Sequence, residues 1–348
     1  MEVLNLTSRK RETYQIRVEY SLLWECALGI AAFTNTPLLD SLEKPKSYWD
    51  KLKSSFSEEL REQLVIVERD NSWKALLQLL HREEFNELPD FISNISRLPE
   101  KEFRFHCLPF IGETYQSIRE QTASGNLAAL EEMKALSQDN PFFPRYIEYI
   151  FHVEVEVLKK HLISVFTCWY EEVIRNDSAD GLLSFLKTDG EAKKQMGHKM
   201  SPEELVEWAT GGVTYQSEPG VSTVLLIPQY IYRPWNIEAD IEGMKVFYYP
   251  ISNESMFPDN KYVPDNFLVL KHKALGDEVR LQIVKLLHEK DRTLQDITEH
   301  LNIGKSTIHH HLKILRAAKL VAIHDSKYVL KKNAVRSLAK ELALYLEQ

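Results

Sequence analysis

The sequence predicts a mainly α protein, with a large N-terminal helical domain carrying a small β element and a smaller, basic C-terminal domain. Three observations lead there. Apolar residues recur at three- or four-residue spacing over most of the chain. Turn pairs and continuous apolar runs interrupt that pattern between Gly211 and Tyr249. The charge is also split by position: residues 266–348 hold 15 Lys/Arg against 9 Asp/Glu, a net of +6, which leaves 28 against 42 and −14 for the rest. At 348 residues the chain exceeds one typical core, so two domains are expected.

From about Tyr20 to Thr210 the helical signal dominates. Leu60, Leu64 and Val67, then Leu77 and Leu80, share helical faces, and Ser55-Phe56-Ser57-Glu58 reads as a capping signal. A long helix is predicted after Pro144, through Tyr149, Val153, Val157, Ile163 and Tyr170, although Val153 to Val157 alternates as a strand would. Gly211-Gly212 and Pro219-Gly220 mark turns, and VSTVLLIPQYIY and MKVFYYPI read as strands of a small sheet closing the helical domain. This gives a mainly helical domain over 1–255, with short strands near 211–250. The polar, proline-containing stretch Ser252 to Asn266 separates it from a second domain over 266–348.

Composition narrows the class. An apolar content of 44% is ordinary for a globular protein. The polar start argues against a secretory signal, and the longest apolar run, Cys26 to Phe33, is far short of the roughly 18 residues a membrane span requires. Cys26, Cys107 and Cys168 are too scattered for a disulfide framework or a zinc knuckle, so a cytoplasmic setting is expected. The basic tail on an acidic body is what an appended nucleic-acid module produces, because positive charge is needed only where phosphates lie.

Within the tail, Leu281, Val284 and Leu287 are expected on one helical face, with Asp277 as the N-cap. A second helix opens at Thr293, pairs it with Asp296, and buries Leu294, Ile297 and Leu301. Asn302-Ile303-Gly304 makes a tight turn. A third helix then runs from Lys305 to about Ala318 with Ile308, Leu312 and Leu315 inward. Two short helices joined by a glycine-containing turn are the helix-turn-helix pattern. Helical spacing puts Lys305, Ser306, His309, His310 and Lys313 on the free face, and all can donate hydrogen bonds to base edges in a major groove. Gly304 leaves the first amides of that helix open to a phosphate. The segment VAIHDSKYVLKK reads as a hairpin about Asp325-Ser326, a wing whose Lys327, Lys331 and Lys332 face the backbone of double-stranded DNA.

These segments, LGDEVRLQIVKLL followed by TLQDITEHLNIGKSTIHHHLKILRAAKLV, resemble the winged helix-turn-helix of the ArsR family of bacterial repressors. The resemblance implies that Gly304 to Leu315 is the recognition helix and that Ser306, Thr307, His309 and His310 approach bases or phosphates. Arg280 is then expected on a phosphate, and the flanking helices in a homodimer interface. The final helix, with Val335, Leu338, Leu342 and Tyr345 on one stripe, suits that packing. The sequence departs from the family in Leu294-Gln295-Asp296-Ile297-Thr298, which offers none of the thiolates by which many members sense metals, and in Glu278-Val279, where Pro-Thr is common. No metal or cofactor is expected.

Other motifs weigh less. His309-His310-His311 point in three directions and cannot share one ion. Gly304-Lys305-Ser306 imitates the end of a phosphate loop, but Glu299 stands where its first glycine belongs. Trp169, Tyr170, Trp208, Tyr215, Tyr230, Tyr232, Trp235 and Tyr248 either fill a core or line an effector pocket. The expected function is a sequence-specific DNA-binding transcriptional regulator, not an enzyme: a homodimeric repressor on an imperfect palindrome, with a small-molecule or protein effector at the N-terminal domain and no membrane. The alternative is an enzyme or interaction domain whose winged helix docks protein.

Overall fold

The computed structural model describes residues 14–175, 179–257, 260 and 262–347. The chain divides into two units, the first running through Leu205 and resuming at Tyr215–Pro250, the second comprising Val206–Thr214 and the chain from Ile251 onward. The sequence placed the division in the polar stretch after Ser252. It did not assign Val206–Thr214 to the C-terminal unit, where Gly211, at φ +66°, packs so tightly on Phe267 that a Cβ would lie 2.5 Å from the ring.

The first unit is built on the Leu22–Thr34 helix, whose residues from Leu23 to Ala32 are all buried. A helix apolar all round belongs in a core, and this one packs against the Trp73–Leu80 and Val155–Trp169 helices. Gly29 lets Trp169 approach, since a Cβ there would stand 2.8 Å from Trp169 Nε1. The fully buried Trp169 ring also meets Phe33 and Phe56, at centroid distances of 5.7 and 5.6 Å. The long helix expected after Pro144 is two, Phe143–His152 and Val155–Trp169, parted where Val153 turns extended at φ −68°, ψ 140°. The strand-like alternation of Val153 to Val157 marks that break.

Beside these helices lies a four-stranded sheet of β1 (Gln15–Val18), β2 (Thr223–Gln229), β3 (Ile237–Ile241) and β4 (Met244–Pro250), in the order β1-β2-β4-β3. β2 runs parallel to β1 and β4, and β3 is antiparallel to β4. The two expected strands are the central pair, and their apolar runs are buried at Val224–Ile227 and Val246–Tyr249. β1 and β3 are short edges carrying Arg17, Glu238 and Asp240, and gave no comparable signal.

Several ionisable groups are sealed into this unit. Burial raises the Glu25 carboxyl to about 7, although it accepts N–H bonds from Tyr230 and Ile231. Burial, helped by the Lys74 ammonium, depresses His81 to about 3, and burial depresses His161 to about 4. The carboxyl, raised above the roughly 4.3 of an unfolded glutamate, loses stability as pH rises from about 4 to 7. The imidazoles, held below the roughly 6.5 of unfolded histidine, lose stability as pH falls beneath 6.5, because the unfolded chain takes up their protons first. Burial likewise lowers His106 to about 4. The depressed histidines outweigh the raised carboxyl, so stability should be greatest near neutrality and fall toward pH 4.5, each histidine contributing about 1.4 kcal/mol per pH unit. Urea unfolding followed by tryptophan fluorescence from pH 4.5 to 8 reads this, and His161→Gln should flatten the acid limb by about that slope. An acid limb unchanged in His161→Gln would remove the histidine from the account.

The second unit has its own core of Ile283, Leu286, Leu287, Ile297, Ile308, Leu312, Leu315, Tyr328 and Leu330. It holds the helices Asn266–Leu275, Glu278–Glu289, Leu294–Leu301 and Lys305–Ala317, the antiparallel strands β5 (Val321–His324) and β6 (Lys327–Leu330), and the final Lys332–Glu347 helix. One expected face is turned. In Glu278–Glu289 the buried stripe is Ile283, Leu286 and Leu287, and Leu281 is 50% exposed. The other local signals hold: Asp277 accepts from Arg280 N–H, and Thr293 and Asp296 close a reciprocal capping box. Asp325 and Ser326, at φ 47° and 62°, make the two-residue turn whose twist suits a hairpin.

Candidate nucleic-acid interface

The Lys305–Ala317 helix carries the candidate interface. Ile308, Leu312 and Leu315 are fully buried and fix its rotation, so Lys305, Ser306, Thr307, His309 and His310 stand exposed on the opposite side with Lys313 half-exposed beside them. Asn302, in the left-handed conformation at φ 52°, ends the Leu294–Leu301 helix and turns the chain through Gly304. Gly304 gives the next helix no side-chain cap, which leaves its first N–H groups to an outside acceptor. His311 does not join the exposed set, and its ring lies 3.7 Å from Asp277.

The wing presents Lys327 on the surface, and Lys332, the first residue of the final helix, is exposed just beyond it. Its base is tied in as a third strand, where Arg292 and Tyr328 exchange backbone hydrogen bonds of 3.2 and 2.7 Å. Two of the expected phosphate contacts are engaged within the fold instead. Arg280, with 14% of its side chain exposed, donates from Nε to Ala274 O at 2.6 Å and from Nη2 to Lys273 O at 3.0 Å, and pairs with Asp277 at 3.7 Å. It ties down the end of the Asn266–Leu275 helix. Lys331 donates from Nζ to the Gly212 carbonyl, anchoring the Val206–Thr214 segment. Sequence spacing could not reveal either role, since both acceptors are backbone carbonyls.

This division makes a prediction. Lys327→Ala should lower DNA affinity for all sequences alike and reduce the slope of log affinity against log salt by about one ion. Lys331→Ala should leave that slope unchanged and lower the melting temperature. Salt titrations of DNA affinity, set beside thermal melts of the two variants, check it, and the converse pattern would return Lys331 to the interface.

The aromatic residues divide between core and cavity. Tyr215 packs on Tyr14 and Phe247, Tyr248 bonds to His81, and Trp235 donates to Ser41 O. Trp169 and Tyr230 do line a cavity in the first unit, together with Tyr48. Trp208, 42% exposed, belongs to the second unit. Ser72 and His161 sit 2.8 Å apart, a pairing invisible in the sequence, but Ser72 is wholly buried. Among the described residues no three His, Cys, Asp or Glu side chains converge as a metal site, and no helix is long and apolar enough to cross a membrane.

Three helices, Glu278–Glu289, Leu294–Leu301 and Lys305–Ala317, the last two joined by a tight turn, with a two-stranded wing behind them, define a winged helix-turn-helix. Residues 277–322 match the bacterial regulatory protein, arsR family, and this segment is an ArsR-type helix-turn-helix domain. Over 52 residues, 15% of the chain, it is 46% identical to the transcriptional repressor SdpR of Bacillus subtilis (strain 168). The matched segment spans 58% of that relative's length. No solved structure matches the chain.

Proposed function

We propose that the protein is a sequence-specific DNA-binding transcriptional regulator, and that it acts as a homodimeric repressor. The observation that carries the reading is the exposed polar and cationic side of the Lys305–Ala317 helix within an ArsR-type domain. Lys305, Ser306, Thr307, His309, His310 and Lys313 enter the major groove, and Lys327 and Lys332 lie along the phosphates. Exposed Leu342 and Leu346 on the final helix, 37% and 73% accessible, support pairing of two copies there. The two recognition helices then reach successive major grooves about 34 Å apart, so the operator is an imperfect palindrome. The first unit is the sensing half and biases the spacing of the two recognition helices when a small molecule or partner binds.

Selection of bound fragments from a genomic DNA pool, followed by gel-shift titration of the recovered sites, tests this. Recovery of a shared palindrome supports the reading. Recovery of no enriched sequence, or DNA retention insensitive to salt, would count for a protein-docking winged helix instead.

A further inference from the structure

We propose that the first unit binds a small organic cation, an amine with an apolar body, in the cavity walled by Glu25, Tyr48, Trp169 and Tyr230. The inference deepens the sensing role just assigned by naming the ligand class. The cavity measures about 280 Å³, at the small end of ligand pockets, and Phe185 adds to its apolar lining. Glu25 is 2% exposed. It is held in place because one carboxylate oxygen accepts the Tyr230 N–H and the other the Ile231 N–H at 3.1 Å. Each oxygen keeps a further lone pair for a second donor.

The chain itself shows what the walls accept. Lys44 reaches in from the segment before the Lys46–Ser55 helix and sets its ammonium 3.9 Å from the centre of the Tyr48 ring and 4.7 Å from that of Tyr230. Both distances are within cation–π range. A cation between aromatic faces beside a buried carboxylate is the arrangement that selects ammonium ligands, and here the Lys44 side chain of the protein occupies it. A free amine would take the place of that ammonium, keep the charge count unchanged, and set its apolar body against the Trp169 and Phe185 walls. Trp169 lines the same space, and its buried Nε1–H has no acceptor among the described residues.

Isothermal titration of the full-length protein with phenethylammonium, against phenylacetate as a probe of similar shape and opposite charge, tests the site without DNA. Phenethylammonium should bind and phenylacetate should not. Lys44→Ala should bind the amine roughly tenfold more tightly, since the competing ammonium is gone. Glu25→Gln should abolish binding. Because a substitution in that buried helix can compromise folding, the Tyr48 pair is an independent check: Tyr48→Leu should lose roughly tenfold and Tyr48→Phe should retain affinity. Phenylacetate binding that disappears in Lys44→Ala would overturn the proposal in favour of an anion site, and so would failure of the amine to bind both the wild type and Lys44→Ala. Gel shifts with and without the amine separate this from the regulatory reading. Binding with unchanged DNA retention upholds the site and removes sensing, whereas altered retention upholds both.

Discussion

Replacing His309 and His310 together by alanine is expected to erase sequence preference while leaving non-specific DNA binding in place. Both imidazoles are exposed on the helix whose opposite side is locked by Ile308, Leu312 and Leu315, so their removal leaves that core untouched and costs the edge contact of His310 on the His311 ring. Each base-reading contact is worth about 1 to 3 kcal/mol, so the pair should cost the specific complex roughly 10² to 10⁴ in affinity. The cationic residues that meet phosphates are untouched, so affinity for a scrambled duplex and the salt slope should stay near wild type. Gel-shift titration on the selected operator and on its scrambled counterpart measures both. Equal losses on the two duplexes would show that the histidines contribute electrostatically and that Lys305, Ser306 or Lys313 reads the bases.

This interface was legible because short-range rules determine it. A capping box, a turn through Asn302 and Gly304 and an apolar stripe at helical spacing fix the helix-turn-helix from neighbouring residues, and Asp325-Ser326 fixes the hairpin likewise. The failures share the opposite cause. Leu281 and Ile283 are both apolar, so which of them faces inward depends on where the neighbouring helices lie. Arg280 and Lys331 carry the charge that phosphate contact needs, yet carbonyls at Ala274 and Gly212 claim them. In the first unit Glu25, Lys44, Tyr48, Trp169 and Tyr230 come from four distant stretches of chain. Nothing in their spacing joins them, and the aromatic residues alone favoured a core over a pocket. β1 and β3 were missed for a related reason, since their pairing with β2 and β4 supplies what their own composition does not.

The recognition helix depends on a small core, and Leu312→Ala should expose that dependence. Leu312 is fully buried at the centre of the stripe that seats the helix on its neighbours. Leucine-to-alanine changes at such sites cost about 2 to 5 kcal/mol, the lost transfer energy plus the cavity left behind. A small domain has only about 5 to 15 kcal/mol in hand, so the second unit should lose a large part of its stability while the first, with a separate core, keeps its own. Calorimetry should therefore show one transition moving down by several degrees and the other holding its temperature. DNA affinity should fall in proportion to the unfolded fraction of the second unit and recover on cooling, because the exposed side chains that meet the duplex are unchanged. A single transition that shifts as a whole would mean that the two cores unfold together. In that case binding in the cavity beside Glu25 would raise the stability of the recognition helix by the same linkage.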